Sequence, residues 1–279
     1  MAAESSVVLA QSATSTSLRP IAASGWTSGF GNLLRHELRP WLRTRFGLLQ
    51  AGIWLLALNG FMAVPLWLAP LFDPRERTDL QAEGGALTLG LLLFFRLGVQ
   101  VCGVGAAILA MSALVGDKQS GTAAWVLSKP ASRAAFVLAK YVALLVGSLL
   151  TMVGLQSAIA YVHIGLAGGR LPDAAPFAVA SALLGLNVLF ALALTLVLGA
   201  FLNSRGAVVG VAIGILFGQQ VLGNFLGPVA SYLPDSLGGL AAGIALGQLQ
   251  ASSAAVVSTA ILTLGCVAAA IWRFGRDEL

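Results

Sequence analysis

Apolar residues collect in six long stretches separated by short polar connectors. They run roughly from Phe46 to Leu71, Leu87 to Val115, Tyr141 to Val162, Phe177 to Leu202, Ala207 to Leu226 and Ala254 to Ile271. Each approaches or exceeds the roughly 20 residues that a helix needs to cross about 30 Å of hydrocarbon. The stretches lack the period-two alternation of a barrel, and an isolated strand cannot satisfy its backbone in lipid, so each is read as a helix. The pattern predicts an all-α, polytopic membrane protein with six transmembrane helices. The expected layout is a flexible tail over 1–28 and a six-helix transmembrane domain over 29–279.

Three further pieces stand out from the periodicity. In FGNLLRHELRPWLRTRF, Leu34, Leu38 and Leu42 share one helical face while Arg35, Arg39 and Arg43 repeat every four residues on another. This is either an interfacial helix, kinked by Pro40, whose arginines meet anionic lipid, or a positive flank that sets topology. In the fifth stretch, Gly206, Gly210, Gly214 and Gly218 form one stripe along which another helix backbone can approach, inside the chain or across a dimer. Between the last two stretches, Pro234 and Asp235-Ser236 precede apolar positions at Leu237, Leu240 and Ile244, which predicts a short helix on or in the outer leaflet.

Composition agrees: 58% of the 279 residues are hydrophobic and only 10% are charged, too few to coat a soluble domain of this size. The net charge of +5 matters through its distribution, which points to a membrane rather than to nucleic acid. With the N-terminus inside, twelve of the 16 Lys and Arg fall on the cytoplasmic side: Arg19, Arg35, Arg39, Arg43, Arg45, Lys118, Lys129, Arg133, Lys140, Arg205, Arg273 and Arg276. Arg75, Arg77 and Arg170 fall outside, and Arg96 lies within a stretch. Both termini are therefore expected in the cytoplasm of a cell (inner or plasma) membrane. The closing Arg-Asp-Glu-Leu imitates a lumenal retention signal on what is expected to be the cytoplasmic end. The first residues carry Glu4 where a signal peptide would carry positive charge.

Little catalytic chemistry is available. His36 and His163 are expected on opposite sides of the bilayer, and all eleven carboxylates sit in tails and connectors. No hydrolytic triad, metal cluster or intramembrane proton relay can be assembled, so no catalytic or metal residue is assigned. Cys102 and Cys266 lie in apolar stretches without paired spacing. Arg96 either serves a site within the bilayer or snorkels from its outer edge. Gln100, Gln156, Asn187, Gln219, Gln220 and Asn224 either line a path or form interhelical hydrogen bonds.

The polar connector VGDKQSGTAAWVLSKPASR spaces Gly116 and Gly121 like the start of a phosphate loop, but Thr122 stands where the phosphate-binding Lys is required. Its length instead suits a short helix over Thr122 to Leu127, between Gly121 and Pro130.

Asp117-Lys-Gln-Ser-Gly121-Thr122, then Leu127-Ser-Lys-Pro130-Ala-Ser132-Arg133 and Leu138-Ala-Lys140, resembles the pattern of ATP-binding-cassette (ABC) exporter permeases of the type-2 branch, including those related to nitrous-oxide-reductase maturation. Arg35-His-Glu37-Leu-Arg39 is similar to that family's opening helix and Arg273-Phe-Gly-Arg276-Asp277 to its closing basic-Asp signature. The chain departs from the pattern in having Asp117 where Glu is usual and Ala139 in place of a Gly. The resemblance implies a non-catalytic permease subunit with an amphipathic connecting helix and a coupling helix in the second-to-third connector. Its partners would be two copies of an ABC ATPase subunit, which bind the ATP and Mg2+, and a second permease in a homodimer or pseudo-dimer. It also implies that Asp117, Gly121, Thr122, Ser128, Pro130, Arg133 and Glu37 couple to the ATPase, while Arg96, Gln100, Asn187, Gln219 and Asn224 are the candidate translocation path. The chain itself would bind no cofactor. A membrane scaffold of the same fold and a secondary carrier are the alternatives, and no motif selects a substrate.

Overall fold

A computed structural model describes residues 25–73, 75, 78, 80, 84–248 and 253–276. The remaining tail residues, together with Arg77 and Asp277, lie outside the described residues. Among the described residues six helices are long and apolar enough to cross a membrane. An amphipathic helix α1 (Phe30–Arg43) leads into the first of them, α2 (Arg45–Phe72). Next come α3 (Gly85–Ala110), two short helices α4 (Val115–Gln119) and α5 (Thr122–Leu127), and α6 (Arg133–Ala167). The chain continues through α7 (Ala174–Phe201), α8 (Arg205–Gly223), a 3-10 turn (Gly227–Tyr232), α9 (Ser236–Ala245) and α10 (Ala254–Phe274).

The bundle is organised around α7, which is apolar on all sides as a helix surrounded by others must be. Its Leu184, Val188, Ala191, Leu192 and Ala193 are fully enclosed, and α3, α6, α8, α9 and α10 pack around it. α2, α8 and α10 lie at the periphery and show wide apolar faces, including Leu56, Phe61, Phe217 and Leu264. In water such faces would be a liability, but against lipid tails they are the expected solution.

The third helix starts at Arg133 rather than near Tyr141. Ser132 caps it by accepting from the Ala135 amide at 3.0 Å. The polar-looking segment up to Lys140 is therefore helical because its charge finds partners elsewhere in the fold. α3 runs through Arg96 without a break.

Pro40 does not end α1. The chain turns at Thr44, whose hydroxyl donates to the Pro40 carbonyl at 2.5 Å and accepts from the Phe46 amide at 3.1 Å. Gly47 is required at this corner, since any β-carbon there would strike the Trp41 carbonyl. α1 then lies across the base of α6, with Leu33, Leu34, Glu37, Leu38 and Trp41 turned partly inward while Arg35, His36, Arg39, Leu42 and Arg43 stay exposed.

α2 and α6 each contain a π-helical stretch, Leu55–Gly60 and Leu149–Gly154. Wide turns leave carbonyls without their usual donors. Gln156, fully buried, supplies replacements: its Nε2 donates to the Thr151 carbonyl at 3.0 Å and to the Ala51 carbonyl of α2 at 3.2 Å. Its Oε1 accepts from Asn59 Nδ2 at 2.9 Å. The pair thus fastens two helices at their midpoints, and Gln156 is an interhelical tie.

Candidate functional site

The connector between α3 and α6 folds into a compact knob. Lys118 Nζ donates to the Ala200 carbonyl at 2.9 Å, and Gln119 Nε2 donates to the Asn203 carbonyl at 2.8 Å. These bonds fix α4 to the end of α7, where unsatisfied helix carbonyls attract a cation. Gly121 then takes φ 72°, the left-handed conformation that glycine adopts cheaply, and turns the chain into α5. Only Ala123 of α5 is buried. Thr122 and Ser128 are exposed, and the Trp125 indole is 63% exposed with the Lys129 ammonium 3.5 Å above its ring. The structure adds Trp125 to the outward face of the knob. Sequence reasoning assigned it no role, because its exposure depends on which face of α5 turns outward.

Behind the knob stands Lys140, in the second turn of α6 and almost fully enclosed. Its Nζ lies 2.6 Å from Asp117 Oδ2 and 2.8 Å from Glu37 Oε1. One ammonium therefore ties α4, α1 and α6 together. Both carboxylates keep some solvent, with 24% and 31% of their side chains exposed. A lysine carries three donors and can serve two carboxylates at once, and burying it without them would be strongly unfavourable.

The other coupling candidates divide in the same way. Arg133 Nη1 donates to the Gly275 carbonyl at 2.9 Å, closing the end of α10. The Pro130 carbonyl accepts from Ser28 Oγ at 3.1 Å, Ser132 Oγ donates to the Trp26 carbonyl, and the Ser132 amide donates to the Ser28 carbonyl at 3.0 Å, so the segment before α1 is stitched to the end of the knob. Glu37, Asp117 and Arg133 are partly buried fasteners, and the exposed Pro130 fastens through its carbonyl alone; Gly121, Thr122 and Ser128, with Trp125, form the free surface.

At the other end of the bundle a second polar group gathers. Gln100 of α3, Asn187 of α7 and Gln219 of α8 come together around a void of about 10 Å³ that Asp235 also lines. Asn187 Nδ2 donates to the Val99 carbonyl at 2.7 Å, and Gln219 Oε1 accepts from the Asp235 amide at 3.3 Å. Gln100 Nε2 donates to Asp235 Oδ1. Burial pushes the Asp235 carboxyl above its ordinary range, and the bond from Gln100 opposes that shift. Arg96 lies nearby on an exposed part of α3, whereas Asn224, at the exposed end of α8, does not line this void. Asp235 was legible only as a helix cap, and its position among the glutamines depends on α9 being enclosed.

The glycine stripe of α8 faces away from the bundle. β-carbons added at Gly210, Gly214 or Gly218 would meet nothing within 4 Å, and Gly206 is exposed. The stripe is therefore not used for packing inside this chain. No group of three or more His, Cys, Asp or Glu capable of holding a metal occurs among the described residues.

Comparison with known proteins follows this geometry. Among curated proteins, none matches the chain. Residues 72–279 match the family described as ABC-2 family transporter protein, a region that holds the knob, Lys140 and the Asp235 group and begins at the end of α2. With three quarters of its length matched and six apolar helices, the chain belongs to the ABC-2 transporter family and is a multi-pass membrane component of a transporter.

Proposed function

We propose that this chain is the membrane-spanning permease subunit of an ATP-driven exporter, moved by a separate ATPase that docks on α5. The observation that carries this reading is the double ion pair at Lys140 behind an exposed Trp125. An exposed tryptophan is a typical anchor of a protein contact. A load applied there passes from α5 through the turn at Gly121 to α4, then to α6 through Asp117 and Lys140 and to α1 through Glu37.

Two ATPase copies bind the ATP and Mg2+ and act on two permeases, which meet along the outward glycine stripe of α8. The bias of Lys and Arg supports a cytoplasmic location for the knob and both termini, in a cell membrane. The permease supplies no catalytic group. Among the described residues its carboxylates lie at the ends of the bundle, which favours an external energy source over an internal proton relay.

The test is co-expression with the ATPase subunit and measurement of ATP hydrolysis in nanodiscs. Gly121→Pro, which forces φ out of the left-handed region, and Trp125→Ala, which removes the anchor, are expected to abolish stimulation while leaving membrane insertion intact. Unchanged stimulation in both variants would refute the docking assignment. Transport by the purified chain alone, without ATP, would establish a secondary carrier instead.

A further inference from the structure

Adjoining the polar void at Asp235 is a larger, open cavity of about 270 Å³, lined by Arg96, Gln100, Gln220, Asp235, Ser236 and Gly239. The two spaces share Gln100 and Asp235, whose side chains are hydrogen-bonded to each other. Across the larger cavity stand a cation and an anion that do not pair: the Asp235 carboxylate takes its side-chain hydrogen bond from the Gln100 amide, and Arg96 has no ion-pair partner among the described residues. Burial penalises the half-buried Asp235 carboxylate, while the Arg96 side chain is exposed, so the anion stands deeper in the cavity wall than the cation.

The arrangement is held in place. α9 is enclosed through Leu237, Gly238, Ala241 and Ala242, and Gly238 sits directly on the Arg96 backbone, where a β-carbon would lie 3.3 Å from the Arg96 Cα. The first turn of α9, which carries Asp235 at its cap, is thereby fixed beside Arg96, and the Asp235 backbone is held by the buried Gln219. The backbones that carry the two charges are therefore fixed beside one another.

We infer that this cavity binds a zwitterionic group, with a phosphate-type anion at Arg96 and a primary ammonium at Asp235, the chemistry of phosphoethanolamine. The guanidinium offers the forked donors that match a phosphate. The carboxylate accepts from the ammonium, and Gln100 and Gln220 supply neutral hydrogen bonds between the two poles. A bound cation also relieves the desolvation that lifts the Asp235 carboxyl. A headgroup with an anion alone satisfies one pole and meets repulsion at the other. This inference concerns a binding site and holds whether or not an ATPase drives the chain.

The test uses the purified full chain, extracted from vesicles containing equal parts phosphatidylethanolamine and phosphatidylglycerol, with retained lipid counted by native mass spectrometry. Phosphatidylethanolamine is expected in about tenfold excess, the worth of one charge-assisted contact. Asp235→Asn keeps an acceptor for Gln100 and removes the charge, and it is expected to erase that excess without lowering phosphatidylglycerol. Arg96→Gln, on an exposed side chain, is expected to lower retention of both lipids and probes the other pole independently of the seating of α9. Competition by soluble phosphoethanolamine would identify a free zwitterion as a sufficient ligand; retention that resists it would identify the membrane lipid. Equal retention of the two lipids by the unaltered chain, an excess that survives Asp235→Asn, or retention unchanged by Arg96→Gln would overturn the inference.

Discussion

Trp41 lies with its indole against the bare α-carbon of Gly147, so that any side chain at Gly147 would collide with the ring. One turn of α1 earlier, Glu37 reaches Lys140, two turns before Gly147 on α6. α1 is therefore docked on α6 by one apolar and one ionic contact on the same face, while its arginines remain free for lipid headgroups.

Enlarging Gly147 tests the apolar half of that docking. Gly147→Val is expected to cost about 1–3 kcal/mol of stability by overpacking and to release α1, so that its backbone unfolds locally and trypsin cuts faster at the already exposed Arg35, Arg39 and Arg43 in a digest of the membrane-embedded protein. Combining it with Trp41→Ala should restore part of the loss, since the colliding partner is gone.

The ionic half has a distinct signature. Lys140→Met leaves Glu37 and Asp117 facing one another without a cation, and is expected to lower stability by about 3 kcal/mol, read as a drop in the midpoint of thermal unfolding in detergent. Glu37→Gln and Asp117→Asn each leave Lys140 one carboxylate and should cost less, about 1–2 kcal/mol apiece. Together they should cost more than the sum, because the second loss strands a nearly buried charge.

Large residues on the outward stripe of α8 should separate folding from association. Gly210→Ile with Gly214→Ile meets no neighbour inside the chain, so the thermal midpoint of the monomer should stay unchanged. Association of two copies, followed by cross-linking in membranes, should fall by about tenfold or more if backbones meet along this stripe.

Asp235 sets a dependence on pH with an unusual sign for an acid. Its carboxyl is held above the ordinary value of 3.8, so the folded chain binds more protons than the unfolded chain between that value and the raised one. The contribution of this group to stability is complete below 3.8 and falls as pH rises through the folded value. Asp235→Asn removes the titration. The difference in thermal midpoint between the variant and the unaltered chain should therefore widen in the variant's favour as pH rises above about 4, and level off once pH passes the raised folded value.

Much of this architecture was legible along the chain because membranes impose few solutions. Length and hydropathy locate the six spanning helices, and Gly121 with Pro130 brackets α5 at Thr122–Leu127 because each residue acts on the local backbone alone. What was not legible depends on partners distant in sequence. Lys140 looks like a flanking charge until Glu37 and Asp117 are brought to it, and the start of α6 was placed late for that reason. Gln156 could be listed among polar residues, but its task of filling the gap left by a wide helical turn requires the turn itself. Gln100, Asn187 and Gln219 could likewise be named as polar residues in apolar runs; that they meet, and that Asp235 joins them, follows from the enclosure of α9.

The tie between Asn59 and Gln156 decides what kind of movement the bundle allows. Two helices pinned at their waists cannot slide past one another like pistons without breaking bonds that lipid has no means to replace. If α6 is pushed at its foot, as the proposed docking requires, α2 and α6 would lean together as a single lever about this tie rather than slide.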